Sequence, residues 1–498
     1  MNEFELKFEI PSARLRSVSI AVLKGKVTRQ HLQAMYFDTA DGALAKRSIV
    51  VRLRKEGRRW VQTAKGPTSN LLERLEHNVT LASQPARTVP VLDLVRHRGT
   101  PIGQAICAAL GVKDDSSFPD LDVLYSTDVQ RTTRQIAING STVELALDQG
   151  RVFAKGRSQT ICELEVELKD GSPAHAVALG RQWCATHGLW LSTIAKSMKG
   201  QRLYRAEPYG IAVSAVAPQF SRTASGEEMT TAVVQSCLIQ LMANASELAS
   251  GSKRPDHIHQ LRVAIRRLRT ALRSLGDLSD AIDPEWETVL VQAFRVMGRH
   301  RDHSQLERVL LAQLLVAGGP EMHLTKLDAS IPDPGETVRA LDFQKVLLGL
   351  LEFVHRKRHD GLQKKSVARA TLKKTLAVRL EKLHSHAVRD GKKFLSLDEE
   401  HQHGVRKRLK SLRYMIEFSA PLFADQEVNR MTDALKPAQD ALGLYNDELV
   451  ALHTLHTLAV EDPRAWFGIG WFTARRLPNA KLCLKEIKAL IKVKRFWA

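Results

Sequence analysis

An α+β chain in two parts is what the sequence predicts: strands with a few helices over residues 1–205, then helices alone from residue 226. Three observations carry this expectation. Short segments of alternating apolar and charged residues fill the first part, punctuated by turn signals. A stretch rich in Pro, Gly and Ser over residues 206–225 reads as a linker, which puts the boundary near residue 215. Beyond it the apolar period becomes helical and a motif repeats.

The alternating segments are Glu3–Ile10, Ile49–Arg54, Arg59–Lys65, Arg74–Leu81, Ser126–Ile138, Thr142–Leu147 and Ile161–Leu168. Asp41-Gly42, Glu56-Gly57, Asn139-Gly140, Gln149-Gly150 and Asp170-Gly171 mark the expected turns. Helical patterns fit Pro101–Leu110 and Pro173–His187. In the second part, breaks are expected at Pro284, at Pro332-Asp333-Pro334 and at Pro437.

A chain of 498 residues has room for two to four domains. A hydrophobic share of 44% and a charged share of 26% are those of an ordinary globular protein. The net charge of +20 is not ordinary, and with a pI near 9.8 it calls for a polyanionic partner. Cys107, Cys162, Cys184, Cys237 and Cys483 are scattered, with no C-x-x-C pair, which excludes a disulfide framework or structural zinc site. The opening MNEFELKFEI has acids where a secretory leader needs a basic and then an apolar run. No apolar stretch approaches the roughly 20 residues of a membrane span. The expected location is the cytoplasm.

The charged residues of the strands fall on single faces, because side chains alternate along a strand. Glu3, Glu5 and Lys7 share a face opposite Phe4, Leu6 and Phe8. Arg52 and Arg54 oppose Val51 and Leu53. Arg74 and Glu76 oppose Leu75 and His77, and Glu163, Glu165 and Glu167 oppose Leu164, Val166 and Leu168. Any one such face could simply be wet. Together they are harder to dismiss, since neighbouring like charges destabilise a sheet unless something neutralises them. Clustered carboxylates bind hard divalent cations, and paired arginines grip phosphate in bidentate fashion. A sheet closed with acids on one wall and bases on the other would hold a metal and a short phosphate chain.

These motifs resemble the CYTH superfamily, also called triphosphate tunnel metalloenzymes. The resemblance rests on E-x-E-x-K at Glu3, Glu5 and Lys7, Tyr36-Phe-Asp-Thr39, Arg52-Leu-Arg54, Thr63-Ala-Lys65, Arg74-Leu-Glu76-His-Asn78, Glu144-Leu-Ala-Leu-Asp148-Gln-Gly150 and Cys162-Glu-Leu-Glu-Val-Glu167, in family order. It implies an eight-stranded antiparallel β tunnel with covering helices and hydrolysis of inorganic triphosphate. It implies Mg²⁺ or Mn²⁺ held by Glu3, Glu5, Asp148, Glu163 and Glu165. Triphosphate contacts fall to Lys7, Arg52, Arg54, Lys65, Arg74, Arg131, Lys196 and Lys199, and the catalytic set is Glu3, Glu5, Lys7, Arg52, Arg54 and Lys65. Glu76, Glu144 and Arg134 are further inward candidates. Many relatives carry Ser where this chain has Ala195, a minor departure. No G-x-x-x-x-G-K-[ST] loop is present, which removes the commonest nucleotide-hydrolase alternative.

The helical part carries a duplicated motif. His259, Arg262, Arg266 and Arg269 recur as His403, Arg406, Lys410 and Arg413, 144 residues later. Some forty residues on, Gly298-x-x-Arg301-Asp302 is matched by Gly443-x-x-Asn446-Asp447. At about 100° per residue, Arg262, Arg266, Arg269 and Arg273 share an arc of about 80° with His259. Leu261, Ile265, Leu268 and Leu272 form the opposing apolar stripe, repeated by Val405, Leu409, Leu412 and Ile416. Glu417 stands where Arg273 would recur. Acids at i±4 are nearly absent from the first stripe, so its repulsion calls for a bound polyanion. Basic segments at Arg356–Lys382, Arg389–Lys393 and Lys481–Arg495 enlarge the field. These repeats resemble the CHAD domain over about residues 226–490. The resemblance implies a duplicated four-helix-bundle domain, residues 226–498, that binds inorganic polyphosphate through His259, Arg262, Arg266, Arg269, Arg273, His403, Arg406, Lys410 and Arg413.

Two other classes of function compete with an inorganic triphosphatase. One is another CYTH activity, thiamine-triphosphatase or class IV-type adenylate cyclase. The other is a non-enzymatic binder of polyphosphate or nucleic acid. The intact carboxylate set argues against lost activity. An aromatic share of 6% leaves few stacking platforms, so nucleic acid is not the expected partner.

Overall fold

The computed structural model describes residues 2–68, 72–81, 88–113, 117–279, 282–324, 330–356 and 369–498, with backbone alone for residues 2, 3, 369 and 370. The chain forms two compact units. Unit 1 comprises residues 1–212 together with 242–252 and 338–358; unit 2 comprises 213–241, 253–337 and 359–498. Among the described residues no helix is long and apolar enough to cross a membrane.

Unit 1 is built on β1 (Asn2–Glu9), β2 (Thr28–Asp38), β3 (Val50–Glu56), β4 (Arg59–Pro67), β5 (Glu73–Leu81), β6 (Asp122–Ile138), β7 (Ser141–Ala154) and β8 (Arg157–Asp170). They are hydrogen-bonded in the order β5-β4-β3-β2-β6-β7-β8-β1, and β1 returns to β5 with Glu3 opposite Arg74. The result is a closed, eight-stranded antiparallel barrel. A two-residue β9 (Trp190–Leu191) adds to β1, with Leu191 opposite Phe8. Closure leaves each strand one inward and one outward face. The outward residues Phe4, Leu6, Phe8, Val51, Leu53, Leu164 and Val166 are all buried.

Helices α1 (Leu15–Val22), α2 (Ala43–Lys46), α3 (Pro101–Leu110) and α4 (Pro173–His187) cover that outer face, while α5 (Lys196–Arg205) packs against residues of the inward face, Tyr125 among them. The Thr100 hydroxyl accepts the Gly103 N–H at 3.1 Å to start α3, and Gly111, at φ 68°, ends it. Helix α4 lies close on β1: a Cβ on Gly180 would stand 2.9 Å from the Phe8 ring. On α5 a Cβ at Gly200 would fall 2.0 Å from the Tyr125 ring, so only glycine allows that approach.

Two local expectations fail here. Gln149-Gly150 is not a turn. Gly150 lies inside β7 opposite Val129, where a Cβ would meet the Asp128 carbonyl at 2.1 Å; the chain turns instead at Lys155-Gly156. Glycine here serves close strand approach, not reversal. Strand β2 carries few apolar residues before Leu32 and was not expected as a strand, yet it supplies the eighth stave. Helices α1 and α5 also lay outside the expected elements.

The remaining helices are α6 (Gly226–Ala249), α7 (Pro255–Leu275), α8 (Glu285–Gln305), α9 (Leu311–Val316), α10 (Pro334–Arg339), α11 (Leu341–His355), α12 (Arg369–Gly391), α13 (Glu399–Ser419), α14 (Asp425–Leu458) and α15 (Ala465–Ile491). A reciprocal cap opens α6, with Ser225 Oγ accepting the Glu228 N–H and Glu228 Oε2 accepting the Ser225 N–H. The two motif helices, α7 and α13, each run 21 residues. Both apolar stripes are buried along their whole length. Pro284 and the 332–334 cluster do precede helices. Pro437 does not break one: the 34-residue α14 continues through it. Its buried row Leu435, Ala438, Ala441 and Leu442 holds the helix against a proline penalty of about 3 kcal/mol.

Candidate active site

The barrel interior is a cavity of about 590 Å³. Glu5 and Lys7 line it from β1, Arg52 and Arg54 from β3, Lys65 from β4, Arg74 and Glu76 from β5, Arg131 from β6, Glu144 and Asp148 from β7, and Glu163, Glu165 and Glu167 from β8. The strand period therefore brings the two expected walls together. Asp148, Glu163 and Glu165 each offer an oxygen within 4.8 Å of the others. Register explains the meeting, because Asp148 pairs across from Glu163, and Glu165 follows two residues on along the same face.

Cations hold these acids together. Lys196, at the start of α5, reaches Asp148 at 2.6 Å, Glu163 at 2.5 Å and Glu165 at 2.6 Å. Arg131 grips Asp148 with two hydrogen bonds of 2.7 and 2.6 Å and also pairs with Glu165. Burial pushes the Glu163 carboxyl up, but Lys196, Lys7 and Lys199 outweigh it and hold it at about 2. Burial likewise works against the Lys196 charge, and Asp148, Glu163 and Glu165 overcome it, raising its pKa. Lys7 donates to the Ile194 carbonyl, and burial lowers its ammonium to about 8.

The donor set suits a hard divalent cation: three convergent carboxylates and no soft ligand. Glu163 Oε1 adds a specific sign of fit. It is buried and touches Lys196, yet takes no aligned hydrogen bond, so a lone pair stays unused. On the opposite wall Arg52 Nε is buried without a hydrogen-bond partner, a donor in want of an anion. Tyr36, 3% exposed, stands beside Arg52; burial raises its phenol, but Arg52 and Lys196 outweigh that and lower it.

Two expected residues differ in placement, and a third is not described at its side chain. Lys199 does not line the cavity; it is buried behind the acids, 2.7 Å from Glu9 and 3.1 Å from Glu163. It pairs with Glu163 from outside the lining of the cavity. One helical turn separates it from Lys196, and the approach of Gly200 to Tyr125 fixes which lysine looks inward. Arg134, one residue off the inward period of Arg131, leaves the barrel and donates to the carbonyls of Ala21 and Lys24 at the end of α1. The side chain of Glu3 lies outside the described residues; its backbone is on β1 beside Glu5. Tyr36 and Lys169 were not singled out as lining residues. Lys169, at 3.2 Å from Glu144 and 2.7 Å from Glu167, continues the inward period of β8 and could have been read from it.

In unit 2 the motif helices form a second cluster. Arg262, Arg266 and Arg269 stack round the Phe294 ring at 4.7, 5.3 and 5.8 Å. Arg301 spans the two copies of the second signature, bidentate to Asp447 at 2.9 Å and 3.1 Å from Asp302. His403 bonds Asn446 at 2.8 Å. Burial, then Arg406 and Arg266, lowers Lys410 to about 8. Burial and the neighbouring arginines lower His259 as well, and Arg301 is the strongest of those neighbours. Arg406 Nε is buried without a partner. The outer end of the first stripe departs from expectation: Glu287 on α8 takes Arg269 at 2.8 Å and Arg273 at 2.6 Å. The relieving acid comes from another helix, where i±4 counting does not look. Arg413 is exposed and bonds Gln439. Arg267 was missed altogether; it is fully buried, bonded to Gln240, the Val216 carbonyl and Glu417. Of the basic segment 356–382, residues 357–368 lie outside the described residues.

The family model of the CYTH domain matches residues 1–200, and that of the CHAD domain matches residues 232–456. The chain carries a CYTH domain followed by a CHAD domain. The chain is 28% identical over 171 residues to the inorganic triphosphatase of Haemophilus influenzae, a match covering 34% of this chain and 44% of that protein. The chain thus spans less than half the length of this curated relative. The crystal structure of the CHAD domain from Ricinus communis is similar at 21% identity, covering 57% of this chain and 97% of that one, with a TM-score of 0.46. A putative adenylyl cyclase from Hippeastrum, described as having a dominant triphosphatase activity, is 17% identical over 41% of this chain and 96% of its own, with a TM-score of 0.30.

Proposed function

We propose that the CYTH part, residues 1–205, hydrolyses inorganic triphosphate to pyrophosphate and phosphate, and that the CHAD part, residues 226–498, holds inorganic polyphosphate. One observation carries the hydrolase reading: the Asp148–Glu163–Glu165 cluster faces Arg52, Arg54 and Lys65 across one closed cavity. The CYTH match and the triphosphatase relative support it.

In this reading Asp148, Glu163 and Glu165, with Glu5 beside them, would hold Mg²⁺ or Mn²⁺. When bound, such an ion supplies neutralising charge on phosphate oxygens and a water of lowered pKa. The chain itself does the rest. Arg52, Arg54, Lys65 and Arg74 bind the phosphates and fix their line through the tunnel. Lys196 and Arg131 keep the carboxylates ionised and hand them over as the substrate complex enters. Phosphoryl transfer asks for positioning and charge more than for covalent help, and no side-chain nucleophile is assigned.

For the CHAD part, the support is the clustering of basic side chains on α7 and α13, where burial and like charge depress the pKa values of Arg262, Arg406 and Lys410, which a polyanion would restore. A soluble location in the cytoplasm goes with both substrates. The test is a substrate panel of triphosphate, thiamine triphosphate, ATP and long polyphosphate, each with Mg²⁺ and with Mn²⁺. Fastest phosphate release from inorganic triphosphate is expected. A preference for ATP with loss of pyrophosphate would favour a cyclase, and no turnover of any of the four would leave a binding protein.

A further inference from the structure

Lys196 reaches the acidic cluster from a segment with little secondary structure of its own. Strand β9 is two residues long, and α5 begins at Lys196 without a side-chain cap. The backbone N–H groups of this segment must nonetheless be satisfied where it is buried. Ser192 N–H goes to the Lys7 carbonyl at 2.9 Å and Ile194 N–H to Ser192 Oγ at 3.2 Å. Two more are taken by residues far along the chain. Leu191 N–H donates to Gln344 Oε1 at 2.8 Å, and Thr193 N–H donates to Ser246 Oγ at 3.0 Å.

Both acceptors are themselves fixed. Gln344 is 2% exposed and gives its amide to the Val338 carbonyl at 2.6 Å; Ser246 is 4% exposed and gives its hydroxyl to the Met242 carbonyl at 2.7 Å. Around them, Glu247 pairs with Arg202 of α5, and Arg339 lies over the Trp190 ring at 5.5 Å. Met242 lines the cavity. All of these lie in unit 1 in space, yet Ser246 and Gln344 fall within the sequence span matched by the CHAD model.

We infer that Ser246 and Gln344 are positioning residues of the tunnel: the CHAD sequence lends two hydrogen-bond acceptors that hold segment 190–197 and so aim Lys196 at Asp148, Glu163 and Glu165. The reacting site of this chain is then not complete within residues 1–205. This inference rests on the proposed reading of the tunnel for its kinetic consequence only, since the holding of the segment is measurable without substrate.

The test uses the full chain with Ser246→Ala, Gln344→Met (which keeps volume and removes the acceptor), both together, and Ser246→Thr as the conservative variant. Hydrogen exchange over residues 190–197 is expected to quicken about tenfold in the double variant while β7 and β8 keep their protection. With triphosphate and Mg²⁺, kcat is expected to fall about tenfold and KM to change less than about threefold, because a misaimed Lys196 disturbs geometry more than affinity. Ser246→Thr should behave as wild type in both assays. Unchanged exchange in the segment overturns the inference, as does an equal rise across β7 and β8, which marks general loosening. Faster exchange with unaltered kcat overturns the positioning role. If the wild-type chain fails to cleave triphosphate, the hydrolase reading falls, while the exchange result still decides whether the two acceptors hold the segment.

Discussion

Replacing Lys196 with methionine removes an ammonium that lies 2.5 to 2.6 Å from three carboxylates, two of them fully buried and the third 11% exposed at its side chain. Breaking a buried ion pair from one side costs about 3–5 kcal/mol, because the partner charge is left behind. Arg131 still holds Asp148 and Glu165, and Lys199 still reaches Glu163, so the lower end, about 3 kcal/mol, applies. At about 2–4 °C per kcal/mol for a unit of this size, Lys196→Met lowers the melting temperature of unit 1 by about 6–12 °C in chelator at pH 7. The wild-type Glu163 carboxyl is held below its usual value, so its contribution is present above the unfolded pKa and is lost as pH falls towards about 2. The variant lacks that contribution, and the gap between the two proteins narrows on acidification below the ordinary carboxylate range. Mg²⁺ reverses the effect at neutral pH. The ion and the ammonium compete for the same oxygens, so the variant gains more from the metal than wild type does, up to about 2.7 kcal/mol at a hundredfold excess over Kd. Calorimetry of the full chain with and without Mg²⁺ measures both shifts. Equal melting of the two proteins in chelator, or equal gains from Mg²⁺, refutes the reasoning.

Other outcomes follow from the same geometry. Arg52→Gln raises KM for triphosphate about 10- to 100-fold in steady-state kinetics, the loss of one charge-assisted phosphate contact. Long-polyphosphate affinity of the full chain, measured by titration, falls as pH rises through about 8, where Lys410 loses its proton, and Lys410→Arg flattens that slope. Asp447→Asn frees Arg301 from its bidentate partner; it lowers stability by about 2 kcal/mol in denaturant melts and tightens polyphosphate binding in low salt. Gly200→Ala forces a methyl into the Tyr125 ring and destabilises unit 1 by about 1–3 kcal/mol, again read from melts.

The barrel was legible where period 2 was clean. Arg52 and Arg54, and Glu163 with Glu165, announced their inward faces through apolar neighbours on alternate positions, whereas Asp148 came only with the family resemblance; the structure brings all five into one cavity. Strand β2 was hidden because residues 28–31 are polar on both faces, and only closure of the sheet demands it. Gly150 misled because glycine marks a turn and a close strand approach alike. The helical repeat gave both buried stripes correctly, since 3.6-residue periodicity is local information. Charge neutralisation was not local: Glu287 meets Arg269 and Arg273 from another helix, and Glu417 meets Arg267 across 150 residues. The same holds for Gln344, whose contact with Leu191 spans 153 residues and leaves no trace in spacing.

On the proposed reading, opposed acidic and basic walls in one cavity cut a short phosphate chain with a divalent cation. Phosphate release from inorganic triphosphate, with Mg²⁺ and with chelator, comparing wild type with Glu165→Gln, tests it most directly. Metal-dependent release that falls by at least about a hundredfold in the variant, with folding intact, is the predicted result. Equal turnover in Glu165→Gln, or release that persists in chelator, contradicts it.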